Sequence, residues 1–328
     1  MSKHYLVVGG AGFIGSNLIN HLLIENNYVT IVDDFSRGSA LFIKKYIDNT
    51  YFRYIQLDVS NFELCELAFF EANCIRKIDE VWHLAANSDI PAGVENPQID
   101  LKQTFMTTFY ILQNMKRFNI KKLNFASSSA IYGDFGEKKI HEDIGPLIPI
   151  SNYGAMKLAS EAQIYAASEN FLDIVNVFRF PNVVGVPATH GVILDLIIKL
   201  TKSYDLLEVL GNGTQRKAYL HVTDLIEAML VISNRRSTNK NEIVNIGPLD
   251  EGVTVKWIAE QVVKRINPDA TIVYGQGNKG WIGDVPKFFY STEKLQKFGW
   301  IPKLNSEEAI IRSIDEITIQ VTSQLNSF

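Results

Sequence analysis

Between Tyr5 and Phe178 short apolar runs alternate with stretches of helical spacing. Tyr5-Leu6-Val7-Val8, Val29 to Val32, Arg53 to Leu57, Glu80 to Leu84, Lys122 to Ala126 and Asp173 to Phe178 read as strands. The first is apolar throughout, the mark of a strand covered on both faces. Ser16 to Asn26 puts Leu18, Ile19, Leu22 and Leu23 on one side of a helix. Further helices are expected over Phe62 to Ala72, Gln98 to Phe118 and Asn152 to Glu169. This alternation predicts an α/β protein with a doubly wound parallel sheet. Past Arg179 the rhythm breaks at Pro181, Gly185, Pro187 and Gly191, a loop-rich transition. A helix near Val192 to Ser203, a hairpin at Gly211-Asn212-Gly213, a helix from Thr223 and a strand over Ile243 to Ile246 are expected next. The expected organisation is one domain over 1–180 with a return segment near 220–248, and a smaller C-terminal α/β substrate domain over 181–328.

With 328 residues, 46% of them hydrophobic and 21% charged, the chain is ordinary for a packed globular protein. The net charge is -4 and no basic face is clustered, so nucleic acid is not an expected partner. Lys121-Lys122 and Lys138-Lys139 read as solvated surface. An anionic ligand therefore needs local groups rather than a global field. Cys65 and Cys74 read as free thiols. Met1-Ser2-Lys3-His4 leads straight into an apolar strand, and no run approaches the ~18 apolar residues of a membrane span. The expected place is the cytoplasm, away from membranes.

Gly9-Gly10-Ala11-Gly12-Phe13-Ile14-Gly15 lies between the first strand and the first helix. Glycine permits the tight turn and the close approach of a pyrophosphate. The helix N-terminus offers that anion free N–H groups and positive dipole. Asp33 ends the second strand, where a carboxylate binds ribose hydroxyls and repels a 2′-phosphate. Strand, glycines, helix and acid together predict dinucleotide binding, with NAD favoured over NADP. Asp34 is an alternative acid, and Arg37 is a residue that would welcome a 2′-phosphate. Asp58, in Leu57-Asp58-Val59, either meets the adenine rim or caps the next helix.

Tyr153 and Lys157 stand four positions apart on a predicted helix, hence on one face. A phenol ionises near pH 10, and a neighbouring ammonium brings that down, so the pair suits general-base work. The fifth strand ends in Ala126-Ser127-Ser128-Ser129-Ala130-Ile131-Tyr132-Gly133, placing hydroxyls where doubly wound sheets carry their chemistry.

On these residues the chain resembles the extended short-chain dehydrogenases/reductases, specifically the NAD-dependent nucleotide-sugar epimerase/dehydratase family. His83-Leu84-Ala85-Ala86, Tyr153-Gly154-Ala155-Met156-Lys157 and Arg179-Phe180-Pro181-Asn182 carry the likeness further. The resemblance implies a Rossmann domain, with NAD held by Gly9, Gly12, Phe13, Ile14, Gly15, Asp33, Asp34, Asp58, Val59, Leu84, Ala85, Ala86, Tyr153, Lys157 and Phe180. It implies Tyr153 as base, Lys157 as its activator and Ser128 as the catalytic hydroxyl. For a nucleotide-diphosphate sugar it implies contacts from Ser129, Asn182, His190, Gly191, Lys217 and Asp284, with Lys279 standing in for an arginine before Asp284. His190 is open to a structural reading as well. No metal site is implied. Tyr219-Leu220-His221-Val222-x-Asp224 resembles the family's nucleotide-sugar segment.

Departures narrow the reaction. Family dehydratases place Asp-Glu after the catalytic hydroxyl; here Ser129 and Ala130 stand there. Asn152 replaces the usual proline before the tyrosine, Met156 a serine before the lysine, Thr104 an asparagine and Thr107 a glycine. The expected activity is a 4-epimerase working by hydride removal at C4, a 4-keto intermediate and hydride return; the alternative is a C4 dehydrogenase or keto-sugar reductase with the same three residues. Relatives pair as homodimers through the two long helices, here 98–118 and 152–169, with Phe105, Phe109 and Tyr165 as contacts that core packing explains equally well.

Overall fold

The apolar runs pair into one seven-stranded sheet in the computed structural model, which describes residues 2–136, 138–236, 239–277 and 289–325. We label its strands β1 (His4–Val8), β2 (Tyr28–Val32), β3 (Phe52–Ile55), β4 (Glu80–His83), β5 (Lys122–Ala126), β6 (Ile174–Arg179) and β7 (Asn241–Asn245). Their order is β7-β6-β5-β4-β1-β2-β3. Pairs from β3 through β6 are parallel. The order reverses between β1 and β4, and the crevice beyond their carboxyl ends is where such sheets take ligands.

Four helices matter for the site: α1 (Phe13–Leu22), α2 (Phe62–Ile75), α3 (Thr107–Arg117) and α4 (Asn152–Asn170). α1 starts at Phe13, directly after Gly12, rather than at Ser16, and gives way to a 3₁₀ turn over Ile24–Asn26. Asn61 caps α2 by accepting from Leu64 N at 3.0 Å, and Ser151 caps α4 by accepting from Gly154 N at 3.1 Å. The continuous helix expected over 98–118 is broken. A short α turn, Pro97–Asp100, runs into a π-helical stretch, Leu101–Met106, before α3 begins. Threonine explains the widening: Thr107 Oγ1 donates to Lys102 O at 3.2 Å and Thr108 Oγ1 to Thr104 O at 2.9 Å, so hydroxyls compete for the helix carbonyls. Such bulges concentrate at functional sites.

The chain forms two compact units. One comprises 1–133, 146–179 and 229–244 and contains the sheet, apart from the last residue of β7. Its core sets Leu6, Val8, Val81, Leu123, Phe125, Val175 and Val177 of the strands against Phe69, Ile111, Met115 and Ile164 of the helices. The other comprises 134–145, 180–228 and 245–328. There α5 (Val192–Lys202), α6 (Val255–Ile266) and α7 (Ser306–Leu325) pack Leu196, Ile197, Ile258, Val262, Ile310 and Ile314 together. The hairpin expected at Gly211-Asn212-Gly213 does not form. Leu206–Val209 pairs in parallel with the distant Thr271–Tyr274, and Arg216–Lys217 runs antiparallel to Val253–Thr254. Gly211 and Gly213, at φ 72° and 76°, turn the chain from one partner to the other. Among the described residues no helix is long and apolar enough to cross a membrane.

Candidate active site

The glycines after β1 make a cradle that only glycine permits. Gly9 has φ +82°, and a Cβ there would lie 2.7 Å from Ala85 N. A Cβ on Gly15 would lie 2.4 Å from Gly9 O. Gly12 precedes α1 without a capping side chain, which leaves the first N–H groups to an anion. Asp33 closes the turn: its carboxylate accepts from Ala11 N and Phe35 N, each at 2.9 Å. Burial pushes this carboxyl above the usual range, and the two N–H groups hold it back. Asp34 instead accepts from Ser36 N at 2.9 Å and Ser36 Oγ at 2.6 Å in an exposed turn. Arg37 pairs with Asp89 at 2.5 Å. These groups fit a dinucleotide: a cradle without side chains, a helix N-terminus, and an acid locked beside them.

Asp58 accepts from Ser60 N at 2.8 Å and from Ser60 Oγ at 2.5 Å, and Lys102 lies 3.6 Å away. Burial would raise this carboxyl, yet Ser60 and Lys102 bring it below the usual range. Asn61 is the helix cap, so capping does not explain Asp58. Val59 is buried. Leu84 N and Ala85 N both donate to Val8 O, at 2.9 and 3.0 Å, and Ala86 follows half-buried.

Beyond the tip of β5 the structure brings Ser128, Tyr153 and Lys157 together. Ser128 Oγ accepts from Ala130 N at 3.1 Å, and Ser128 favours the ionised form of the Tyr153 phenol. Lys157, 2% exposed, donates to Ala126 O at 2.6 Å. Its Nζ lies 4.7 Å from the Phe125 ring centre and 5.9 Å from that of Tyr153. Burial pushes Lys157 down to about 7, against Glu161 and Asp100, which favour its charge. Burial pushes Tyr153 up to about 12; Ser128 opposes this and Asp100 adds to it. The expected acidification of the phenol is therefore not a property of these side chains by themselves. Tyr153 keeps part of its surface exposed, so a cationic group of a bound ligand would add to Lys157 in favouring the phenolate. His83 is buried against Thr108 at 2.9 Å and held well below its ordinary range by burial, a packing position rather than a catalytic one.

Two features were not legible along the chain. Glu161 is fully buried in a bidentate pair with Arg179, at 3.1 and 2.7 Å. Ser127 Oγ and Tyr165 Oη donate to the same carboxylate at 2.5 and 3.1 Å, and Arg179 also donates to Tyr132 Oη at 3.0 Å. This network ties the tip of β6, the loop carrying Ser128, and α4. The second is Asp100, fully buried at the entrance to the π-helical stretch. The periodicity of 153, 157, 161 and 165 along one helix face was the available signal for the first; for Asp100 there was none.

In the second unit, Asn182 is exposed on a short strand paired in parallel with Tyr219–His221. Phe180 is half-buried two residues earlier. His190 is exposed with Nδ1 3.0 Å from Thr189 Oγ1, and Gly191, at φ 108°, precedes α5. Lys217 is half-buried on its strand. Asp284 and Lys279 lie outside the described residues. His221 is buried between Thr223 and Glu316 at 2.8 and 3.2 Å, and Asp224 accepts from Lys303 N and Leu304 N, both at 3.1 Å. That segment therefore anchors its unit. Ser129, next to Ser128 in the first unit, is buried.

A doubly wound sheet, a glycine cradle at its reversal point, and a serine–tyrosine–lysine cluster beside it define an extended short-chain dehydrogenase/reductase. The profile of the NAD dependent epimerase/dehydratase family matches residues 5–247, and the chain belongs to that family. It is an NAD-dependent enzyme of the epimerase type. UDP-glucose 4-epimerase of Lactobacillus helveticus is 30% identical over 93% of this chain and 94% of its own length. A solved UDP-galactose 4-epimerase superposes with a TM-score of 0.83 at 30% identity, covering 97% of this chain and all of the other. UDP-glucose 4-epimerase of Thermus thermophilus, solved in complex with NAD, superposes at 0.82 with 25% identity over 96% and 99% of the two chains.

Proposed function

We propose that the protein is a nucleotide-sugar 4-epimerase acting on UDP-sugars. The observation that carries the reading is the convergence of Ser128 and Tyr153 on the buried Lys157 beyond the tip of β5, at the same end of the sheet as the glycine cradle. Tyr153 Oη takes the proton from the C4 hydroxyl and later returns it, while Ser128 Oγ holds the same sugar oxygen. NAD, held by the glycine cradle, would supply hydride acceptance and return at the sugar carbon, so that the C4 hydrogen can be restored on the other face. Lys157 holds the cofactor ribose and, with the nicotinamide charge, lowers the cost of the phenolate. Gly9, Gly12, Phe13, Ile14 and Gly15 hold the pyrophosphate, Asp33 the adenosine ribose, and Asp58 and Val59 the adenine. Ser129 and Ala130 offer no acid–base pair for eliminating water, which favours epimerisation over dehydration.

Asn182 and Lys217 are assigned to the diphosphate, Asp284 to the nucleotide ribose, and His190 with Gly191 to the pocket wall. Lysine at 217 provides a point charge rather than a fork. A homodimer through α3 and α4 belongs to the same reading, supported by the exposure of Phe109. So does a cytoplasmic place, where Cys65 and Cys74 stay as the free thiols seen here.

The test is to incubate UDP-glucose or UDP-galactose with the purified enzyme and no added cofactor. The proposal expects the same mixture of C4 epimers from either side, and its loss in Tyr153→Phe with the fold preserved. Accumulation of a keto sugar alone would replace it with a one-way dehydrogenase using the same three residues.

A further inference from the structure

Asp100 is a buried acid beside Tyr153 and Lys157 to which the reaction above gives no part, and unlike Glu161 it has no arginine partner among the described residues. Its side chain has no exposed surface. One oxygen, Oδ1, accepts from Asn87 Nδ2 at 2.8 Å. The other, Oδ2, has no hydrogen-bond partner among the described residues. Leaving a buried carboxylate oxygen unsatisfied is costly, and such groups call for an explanation.

Its surroundings hold it firmly. Asn87 is fixed by Asp89: Asp89 N donates to Asn87 Oδ1 and Asn87 Nδ2 to Asp89 O, both at 2.9 Å. Asn87 N donates to Thr104 Oγ1, inside the π-helical stretch, at 3.2 Å. Oδ2 lies against Gly93, where a Cβ would come within 1.9 Å of it, so a side chain there would displace the carboxylate. Gly93 O in turn accepts from Asn152 Nδ2 at 2.9 Å, and Asn152 immediately precedes Tyr153. The carboxylate is thus clamped to the start of the helix that carries Tyr153 and Lys157.

We propose that Asp100 is a positioning residue of this site, a buried carboxylate that balances the Lys157 ammonium and tunes the Tyr153 phenol. The inference rests on the reading of Tyr153 and Lys157 as the proton-handling pair. The charged and titratable neighbours are few. Lys157 faces Asp100, Glu161 on its own helix, and His83 of β4, which burial keeps neutral. Tyr153 faces Ser128 and Asp100. Glu161 is matched by Arg179, and Asp89 by Arg37. Lys157 is the charge that acts on Asp100. Burial pushes the Asp100 carboxyl up, while Asn87 and Lys157 hold it back.

The signs give a specific expectation. An anion at 100 favours the ammonium of Lys157 and disfavours the phenolate of Tyr153. Removing that charge makes both groups lose their protons at lower pH, by about one unit each for charges several ångströms apart in a protein interior. Both limbs of the pH–rate profile then move toward acid. A residue that merely supported packing would lower the height of the profile and leave its position unchanged.

The experiment compares the NAD-loaded enzyme with Asp100→Asn, which keeps the shape and the Asn87 hydrogen bond. With 13 tyrosines in the chain, phenolate absorbance is read as the difference between each background and the same background carrying Tyr153→Phe. The expected result is a Tyr153 midpoint about one pH unit lower in Asp100→Asn, without substrate present. Asp100→Ser, which relieves any crowding of an amide against Gly93, should move it the same way. A midpoint that stays or rises in a folded variant overturns the proposal, as does failure of both variants to fold, which would make Asp100 purely structural. Because the titration needs no sugar, an enzyme that shows the shift but forms no epimers would sink the epimerase reading and leave this inference standing.

Discussion

Arg179→Met removes the cation from a pair whose side chains are 4% and 0% exposed. Glu161 then keeps the hydroxyls of Ser127 and Tyr165 and the Lys157 charge, and the Arg179 hydrogen bond to Tyr132 is lost. A buried carboxylate stranded in this way costs about 3–5 kcal/mol. The two charge-assisted hydrogen bonds that vanish are of matching size, at roughly 1.5–3 kcal/mol each. We expect Arg179→Met to lose about 4 kcal/mol in urea unfolding of the NAD-loaded enzyme followed by circular dichroism. Adding Glu161→Gln removes the stranded charge, so the double variant should recover about 2 kcal/mol relative to the sum of the single losses. Ser127 adjoins Ser128, so the single variant should also turn over more slowly at full NAD occupancy. A loss under ~1 kcal/mol, or strict additivity, would refute the claim that this pair holds the strand tips to α4.

Gly9→Ala forces a Cβ toward Ala85 N at a φ of +82°, and the purified protein should carry far less NAD than the parent, measured by release on denaturation. Asp33→Asn removes the charge and, because each carboxylate oxygen accepts a backbone N–H, one hydrogen bond of the turn as well; the preference for NAD over NADP in titrations should fall by at least about tenfold, a change of ~1.4 kcal/mol. Lys157 sets a pH dependence in the NAD-free protein. Its folded value is lowered to about 7 from an ordinary 10.5, so between those values the unfolded chain binds a proton that the folded chain lacks. Stability therefore rises with pH across that window, by up to ~1.4 kcal/mol per unit, and is least favoured below it. Lys157→Met should remove that slope in urea titrations at successive pH values; an unchanged slope would assign it to other groups.

Much of the sheet was legible because strands covered on both faces must be apolar, as Tyr5 to Val8 are, whatever packs on them. The glycine cradle was legible for a similar reason, since its spacing follows from local backbone geometry. Tyr153 and Lys157 could be paired because helical spacing alone puts them on one face. What escaped depends on contacts between distant segments. Asp100 sits 53 positions before Tyr153 and reaches the site only through Asn87, Gly93 and a π-helical stretch made by threonine hydroxyls. The Glu161–Arg179 pair joins a helix to a strand end, and either residue alone reads as an ordinary charge. The missed hairpin at Gly211 has the same origin: its glycines mark a turn, but the partner strand, Thr271–Tyr274, lies some sixty residues downstream.

The most direct measurement follows a UDP-sugar carrying deuterium at C4 through the enzyme in ordinary water, with no cofactor added. If Tyr153 moves only the hydroxyl proton while the C4 hydride leaves and returns within one active site, deuterium remains at C4 in both epimers. Tyr153→Phe should then slow the interconversion of the epimers by about 10²-fold or more at unchanged NAD content. Loss of the label to solvent, or turnover by Tyr153→Phe at the parent's rate, would contradict the account.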